Sequence, residues 1–431
     1  MTEIHLSFNN TFDFESLLGI FPVSDEFEFT AKNVFRRKTR VECCGEFMVH
    51  NGFNYVRKKG FGKVKVGKQL CKCCGSQFVE DKSFWKKLLN DWFDAVCSLV
   101  LRLRDSSVGW NVIEDVFDFL IPYSKDSLRN LFNRKIDVFE YPQRNFLIVN
   151  YDEQHPKRGR AQKFRLTLLD YETKVPIADE LFDNKDSSTI EDFLRNHLDV
   201  SKPIVLITDC DRSYPQIFKK IWGNKVIHQK CLLHLNKTIV KEFGKNTDLL
   251  EEHTKYSMLN IFYNRTKELK FLNRLIKKQD RKIFDTNKEK QDWIKNAKTK
   301  FYDYIRTLEK KRRREGKNLT QRTKKQAKEK LDELKYQNML LPKHARSRLV
   351  MIERNWKYFT AFYDVKNCPA TNNAIENFYS TSLKTHRKKQ HRTDQGLKNH
   401  MKLSALKRAE LFKKPKKTFI EIYSLIKSII T

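Results

Sequence analysis

Apolar residues change their spacing three times along the chain, and each change predicts a different kind of element. Before residue 80 the pieces are short and β-prone, with glycines between them (NGFNYV, KKGFGKVKVG). From Phe84 the stretch WKKLLNDWFDAVCSLVLRL places its apolar residues at helical spacing. VGWNVIEDVFDFL, IPYS and KDSLRNLFNRK then predict helix, tight turn and helix, with Pro122 closing the first and Ser124 capping the second. That is the outline of a helix-turn-helix, and an ordinary helical hairpin has the same outline. From residue 146 the pattern is α/β. FLIVNY, KFRLTLLDY and VPIADELF predict three successive strands, SSTIEDFLRNHL a helix, PIVLIT a fully apolar strand, PQIFKKIW a helix, NKVIH a strand and CLLHLNKTIVKEF a helix. Such an order predicts a mixed sheet covered by helices. Residues 245–365 carry almost no strand signal and predict long charged helices, and CPATNNAIENFYSTSLKTHRKKQHRT predicts one more helix.

Composition adds a partner to this outline. Hydrophobic residues make up 39% and aromatics 12% of the 431 residues, enough for a sizeable core. The formal charge of +33, from 86 Lys and Arg against 53 Asp and Glu, predicts a polyanionic partner: nucleic acid first, an anionic membrane surface second. No apolar run approaches the roughly 18–20 residues of a spanning helix. The opening MTEIHLSFNNTFDFESLLGIFP lacks the basic-then-apolar order of a signal peptide. These features predict a soluble, cytoplasmic protein, in which nine cysteines point to metal binding before disulfides.

In so basic a chain, the carboxylates at strand ends stand out. The predicted first strand of the α/β region runs into Asp152 and Glu153, and PIVLIT runs into Asp209. Neighbouring parallel strands bring their C-terminal ends to one sheet edge, where α/β proteins place ligands. Two carboxylates there repel unless a divalent cation joins them. Mg²⁺ (or Mn²⁺) suits all-oxygen ligands and substrate phosphates. A third carboxylate, Glu376 in TNNAIENFYSTSLKTHR, would complete a site for two ions about 3.5–4 Å apart. On a helix, Ile375, Phe378, Tyr379 and Leu383 form its apolar side, and Glu376 shares another side with Ser380, Lys384 and Arg387. Plainer readings stand beside this one. Asn373 and Glu376 have capping-box spacing, Asp209 or Asp211 can cap the next helix, and Asp152 can be a turn residue before His155-Pro156.

The pieces VNYDEQH, LITDCDRSYPQIFKKIW, HQKCLLHL and TNNAIENFYSTSLK resemble a prokaryotic DDE transposase of the Mutator-like and related insertion-sequence type, over about residues 145–245 and 366–410. The resemblance implies an RNase H-like fold interrupted by an all-α insertion, and Asp152, Asp209 and Glu376 as the metal-binding, catalytic triad. Cys231 and His234 match the family's C-x-x-H, and Cys210 stands where its turn usually has glycine. With His228 they spell H-x-x-C-x-x-H, whose plainer reading is packing or hydrogen bonding beside the site. The expected organisation is 1–80 with a zinc-ribbon-like module, 81–142 helix-turn-helix, 143–245 first part of the core, 246–365 helical insertion, and 366–431 last part of the core with C-terminal helices.

Related transposases often begin with a zinc ribbon, and here Cys71-x-x-Cys74-Gly75 makes one half of such a site. The other half is irregular: in VECCGEF, Val41 stands at the first ligand position and Cys43 and Cys44 are adjacent. Cys43, Cys44, Cys71 and Cys74 are the candidate Zn²⁺ ligands, with Cys73 or His50 as substitutes; a metal-free remnant is the other reading. RRKTR, EKKRRREGKNLTQRTKKQAKEK and KTHRKKQHR are candidate phosphate tracks or solvated faces. Together these readings predict a homo-oligomeric, nucleoid-associated transposase acting on double-stranded DNA, both element ends and target, by metal-dependent cleavage and strand transfer. A catalytically inactive DNA-binding descendant and an RNase H-like nuclease without strand transfer are the competing readings.

Overall fold

A computed structural model describes residues 26–32, 34–58, 62–118, 123–141, 147–155, 164–244, 247–383 and 393–410. The expected closing proline Pro122 and the KTHRKKQHR track lie outside the described residues, as do Lys384 and Arg387. The chain forms two compact units, 1–141 together with 385–431, and 142–384. Segment 366–431 is therefore divided between them.

The first unit begins with β1 (Phe27–Phe29), β2 (Val34–Arg37), β3 (Glu42–Cys43), β4 (Glu46–Phe47), β5 (Val49–Lys58), β6 (Gly62–Leu70) and β7 (Gln77–Val79). One sheet has the order β1-β2-β6-β5, with β7 also on β6, and β3 and β4 form a separate hairpin. Three helices follow: α1 (Ser83–Asp105), α2 (Trp110–Asp118) and α3 (Lys125–Asp137). The Ser124 side chain accepts a hydrogen bond from the Ser127 N–H (3.3 Å), capping α3 as its spacing predicts. Val96, Val100, Ile113, Phe117, Leu128, Phe132 and Ile136 make the helical core. Leu403, from the Asp394–Arg408 helix, is buried among them, which ties that late segment to the first unit.

The second unit holds β8 (Ile148–Gln154), β9 (Phe164–Asp170), β10 (Pro176–Phe182), α4 (Ser187–His197), β11 (Ile204–Thr208), α5 (Tyr214–Trp222), β12 (Val226–Lys230) and α6 (Leu232–Phe243). The sheet order is β10-β9-β8-β11-β12. β8, β9 and β10 form an antiparallel meander, while β11 runs parallel to both β8 and β12. β11 reads IVLIT and is buried at every position because helices cover both faces of the sheet. On one face Val149, Tyr151, Leu166 and Leu206 pack against Ile190, Phe193, Ile217 and Phe218 of α4 and α5.

Between β12 and the last helix of this unit come α7 (Leu249–Leu259), α8 (Thr266–Asp280), α9 (Asn287–Arg314), α10 (Lys324–Tyr336), α11 (Lys343–Arg354) and α12 (Trp356–Asp364). Leu331, Leu349 and Phe359 of this helical region share a core with Leu232, Leu235 and Ile239 of α6. α13 (Asn373–Ser382) then returns to the sheet and buries Ile375, Phe378 and Tyr379 against Leu169. No helix among the described residues is long and apolar enough to cross a membrane.

Candidate functional site

Asp152 lies inside β8, opposite Thr167 of β9, two residues short of the strand's end. It is not the terminal residue that its sequence position suggests, because pairing with β9 continues through Gln154. Asp209 does sit where the sequence places it, directly after β11. β8 and β11 are parallel neighbours, so both carboxylates occupy the C-terminal side of adjacent strands.

The third carboxylate reaches this corner through a set of long-range hydrogen bonds. Asn150 Nδ2 donates to Asn372 Oδ1 (2.6 Å), and Asn372 Nδ2 donates to the Tyr151 carbonyl (3.0 Å). The Asn372 N–H donates to Cys231 Sγ (3.1 Å), the Leu232 N–H to the Ala370 carbonyl (3.0 Å), and Tyr379 Oη to the Asp152 carbonyl (2.7 Å). α13 is thus fixed to β8 and to the start of α6, with Glu376 in its first turn. Asn372 precedes the helix but its side chain caps nothing, so the capping-box reading of Asn373 and Glu376 does not hold. Glu376 instead meets Lys237 (3.0 Å) and His234 (3.5 Å) on α6.

The electrostatics follow from this crowding. Burial pushes the Asp152 carboxyl up to about 7, and the charges of Asp209, Glu153 and Glu376 push the same way, against a backbone hydrogen bond from Glu153 (2.8 Å). Asp209 is raised too, by burial first. Glu153 belongs to the other face of β8 and is satisfied there by Tyr151 Oη (2.9 Å), Tyr214 Oη (2.7 Å) and Lys185 (2.7 Å). Asp211 accepts from the N–H and hydroxyl of Ser213 and so shapes the turn before α5, while its own N–H donates to Asp209. Cys210 has no positive φ, so this turn accepts a side chain where the resemblance leads one to expect glycine.

His228 and Cys231 are buried and hydrogen-bonded inside the fold. His228 is buried, which pulls its pKa down to about 3, and its Nε2 lies 2.8 Å from the Thr208 hydroxyl. A fully buried pair anchors the far end of α13: Arg165 donates to both Asp179 oxygens (2.7 and 2.6 Å), to Gln154 (3.1 Å) and to Ser382 (3.1 Å). Lys237 and the Arg165–Asp179 pair carry no signal in the sequence pattern, and the contacts of Asn372, inside the quoted TNNAIENFYSTSLK, appear only in the fold.

The tightest grouping of metal-binding side chains among the described residues is elsewhere. The ligand atoms of Cys43, Cys44, Cys71 and Cys74 all lie within 4.8 Å of one another. Cys73 and His50 are not in this group. Cys44 (φ 53°) and Gly45 (φ 76°) form a two-residue hairpin turn between β3 and β4, with both central residues left-handed. That turn lets two adjacent cysteines face one point, which an extended chain forbids. Gly75 (φ 73°) closes the other half, its N–H donating to the Cys71 carbonyl (3.0 Å). Cys43 Sγ lies 3.8 Å from Cys44 Sγ and 3.7 Å from Cys74 Sγ. A tetrahedron with Zn–S bonds of about 2.3 Å has edges of about 3.8 Å. The neighbouring Ser76 draws the Cys74 thiol down to about 6. The three carboxylates are not drawn together this closely.

No protein-family model matches this chain, and no curated protein matches it.

Proposed function

We propose that the chain is a DNA transposase of the DDE type, acting through Asp152, Asp209 and Glu376 on an RNase H-like core. The supporting architecture is a three-stranded antiparallel meander extended from its first strand by two parallel strands, with a late helix bringing the third carboxylate. One observation carries the reading: the Asp152 carboxyl is held near 7 among three other carboxylates at the C-terminal side of parallel strands. Structural carboxylates are ordinarily ionised and paired. Burial raises the pKa of this one first, and the charges of Asp209, Glu153 and Glu376 add to it, a repulsion that a divalent cation would offset.

The donor set fits Mg²⁺ or Mn²⁺, since all three side chains offer oxygens. Bound there, such ions would activate a water or 3′-hydroxyl and stabilise the leaving oxygen of an in-line phosphoryl transfer. Asp152 is fixed by its strand and Asp209 by the turn that Asp211 shapes. Glu376 is placed by the Asn372 and Tyr379 hydrogen bonds and leaves Lys237 when it binds metal. In the same reading, the cysteine cluster holds structural Zn²⁺, the helices around α2 and α3 bind terminal repeats, and a homo-oligomer joins two ends with target DNA. The exposed Lys311, Arg313 and Arg314 of α9 serve as phosphate contacts, while Arg312 is taken by Glu268 (2.9 Å).

The test is cleavage of duplexes carrying the DNA that flanks the chain's own coding region, with Mg²⁺ or Mn²⁺. Asp209→Ala is expected to lower cutting by about 10²-fold or more. Undiminished cutting by that variant removes the triad from the reaction. The Lys237–Glu376 contact favours one other reading, a DNA-binding protein whose lysine has replaced the ion. Wild-type protein that binds those duplexes and cuts none of them supports it.

A further inference from the structure

A second concavity lies wholly within the first unit, whereas the three carboxylates belong to the second. It is a cavity of about 440 Å³ between α1, α2, α3 and the Asp394–Arg408 helix. Its lining includes Arg104, Trp110, Arg129, Asn133, Asn399 and His400, and no carboxylate. The Arg104 guanidinium lies 4.6 Å from the Trp110 ring, and that of Arg129 lies 5.8 Å from the same ring. Two cations are thus gathered on one indole at the edge of a cavity. Burial lowers the Arg104 pKa, and the charge of Arg129 adds to the effect. Arg104 Nε is buried with no hydrogen-bond partner, while its Nη1 donates to the Val108 carbonyl (2.5 Å). The neighbouring carboxylate is Asp126, 3.3 Å from Arg129; that pair is exposed and contributes little. In the same lining, Asn399 Nδ2 donates to Asn133 Oδ1 (3.0 Å) and Gln395 Nε2 to Asn399 Oδ1 (2.8 Å), a linked row of amides.

We propose that this cavity binds a nucleoside phosphate, the phosphate on Arg104 and Arg129 and the nucleoside against Phe132 and the amide row. Guanidinium groups match phosphate oxygens in geometry as well as charge. The volume falls in the range of small-ligand sites, about 300–1,000 Å³, and leaves room beyond a bare phosphate. Aromatic rings and side-chain amides are the groups that read bases in nucleotide and single-strand sites. Two sources share this chemistry, a free nucleotide and one nucleotide of a DNA strand. The inference does not depend on the carboxylate site.

The experiment is equilibrium binding to the full chain without added Mg²⁺ or Mn²⁺. Calorimetry follows dAMP, dTMP and inorganic phosphate, and fluorescence anisotropy follows a labelled six-nucleotide strand of about the length one module covers. Arg104→Gln and Arg129→Gln are each expected to weaken nucleotide binding roughly tenfold, and Asn399→Asp comparably, by placing an anion in the cavity. Asp209→Ala leaves the affinity where it was, so failure of the carboxylate chemistry and failure of this site give different results. Binding of mononucleotides identifies the free ligand, and binding of the strand alone identifies DNA. If Arg104→Gln unfolds, the half-exposed Arg129 and Asn399→Asp carry the test. Inorganic phosphate binding as tightly as dAMP overturns the nucleoside assignment. No binding by any probe, or binding that all three cavity variants leave unchanged, overturns the site.

Discussion

The thiol cluster and the carboxylate cluster are built on opposite principles. The four cysteines come from one segment, Cys43 to Cys74, and sit on two tight turns; their ligand atoms all lie within 4.8 Å of one another, and two of the S···S distances, 3.8 and 3.7 Å, match the edge of a tetrahedral thiolate site. The three carboxylates come from strands and a helix far apart in sequence, sit more loosely, and have a lysine among them. Short loops fix ligand positions by backbone geometry alone. A site assembled from distant elements depends on the packing between them, and it can stay open enough to admit a substrate. The contrast suits a structural ion in one place and exchangeable ions in the other.

The comparison breaks most visibly through zinc. Purified protein is expected to carry one Zn²⁺ per chain by elemental analysis, and Cys74→Ser to lose it. Structural zinc contributes about 10–16 kcal/mol to a small module at neutral pH, so chelation should also unfold the β1–β7 region. A chain that is zinc-free as isolated and keeps its near-ultraviolet spectrum reduces the cluster to a packing feature.

Next in size is the buried pair behind α13. Arg165→Met strands Asp179 in the core and is expected to cost about 3–5 kcal/mol in denaturant unfolding. The double change Arg165→Met with Asp179→Leu should recover much of that loss. Equal destabilisation by single and double variants would show that hydrogen bonds to Gln154 and Ser382, and not the uncompensated charge, set the penalty.

Asp152 gives a smaller effect with a definite sign. Its folded pKa, about 7, lies above the 3.8 of an ordinary aspartate, so the folded state holds a proton that the unfolded chain has released. Stability of the metal-free protein should therefore fall as pH rises from about 4 through about 7. Asp152→Asn is expected to raise the melting temperature by several degrees at pH 8 and to have little effect at pH 4. Added Mn²⁺ should stabilise the wild type and not the variant. A variant less stable at every pH contradicts the crowding of carboxylates.

The smallest effect concerns Lys237. If its charge competes with a divalent ion, Lys237→Met should tighten Mn²⁺ binding by about two- to five-fold, read by electron paramagnetic resonance. Weaker binding would instead make Lys237 the residue that holds Glu376 in place.

Much of the second unit was legible from its residues. The run PIVLIT could be little other than a strand buried on both faces, KFRLTLLDY and VPIADELF each contain the strand they predict, and FLIVNY holds the first part of β8. Asp152 was misplaced by its apparent position at a strand end, because the pairings with β9 that extend the strand, Glu153 with Leu166 and Gln154 with Arg165, belong to another strand. Arg165 and Asp179 read as ordinary alternating polar positions of two strands, and their pairing under α13 appears only once Ser382 closes over them. Cys43 and Cys44, being adjacent, made the irregular half of the expected zinc site. Adjacent side chains diverge in an extended chain, and only the left-handed turn at Cys44 and Gly45 removes that objection.

The bond between Asn150 and Asn372 spans 222 residues. During synthesis, every strand of the central sheet leaves the ribosome long before the segment that carries Glu376. The nascent protein can therefore build its sheet and its long helical region while the carboxylate corner is still missing one wall. A chain cut short anywhere in that region would keep the central sheet without the corner that Asn372 closes.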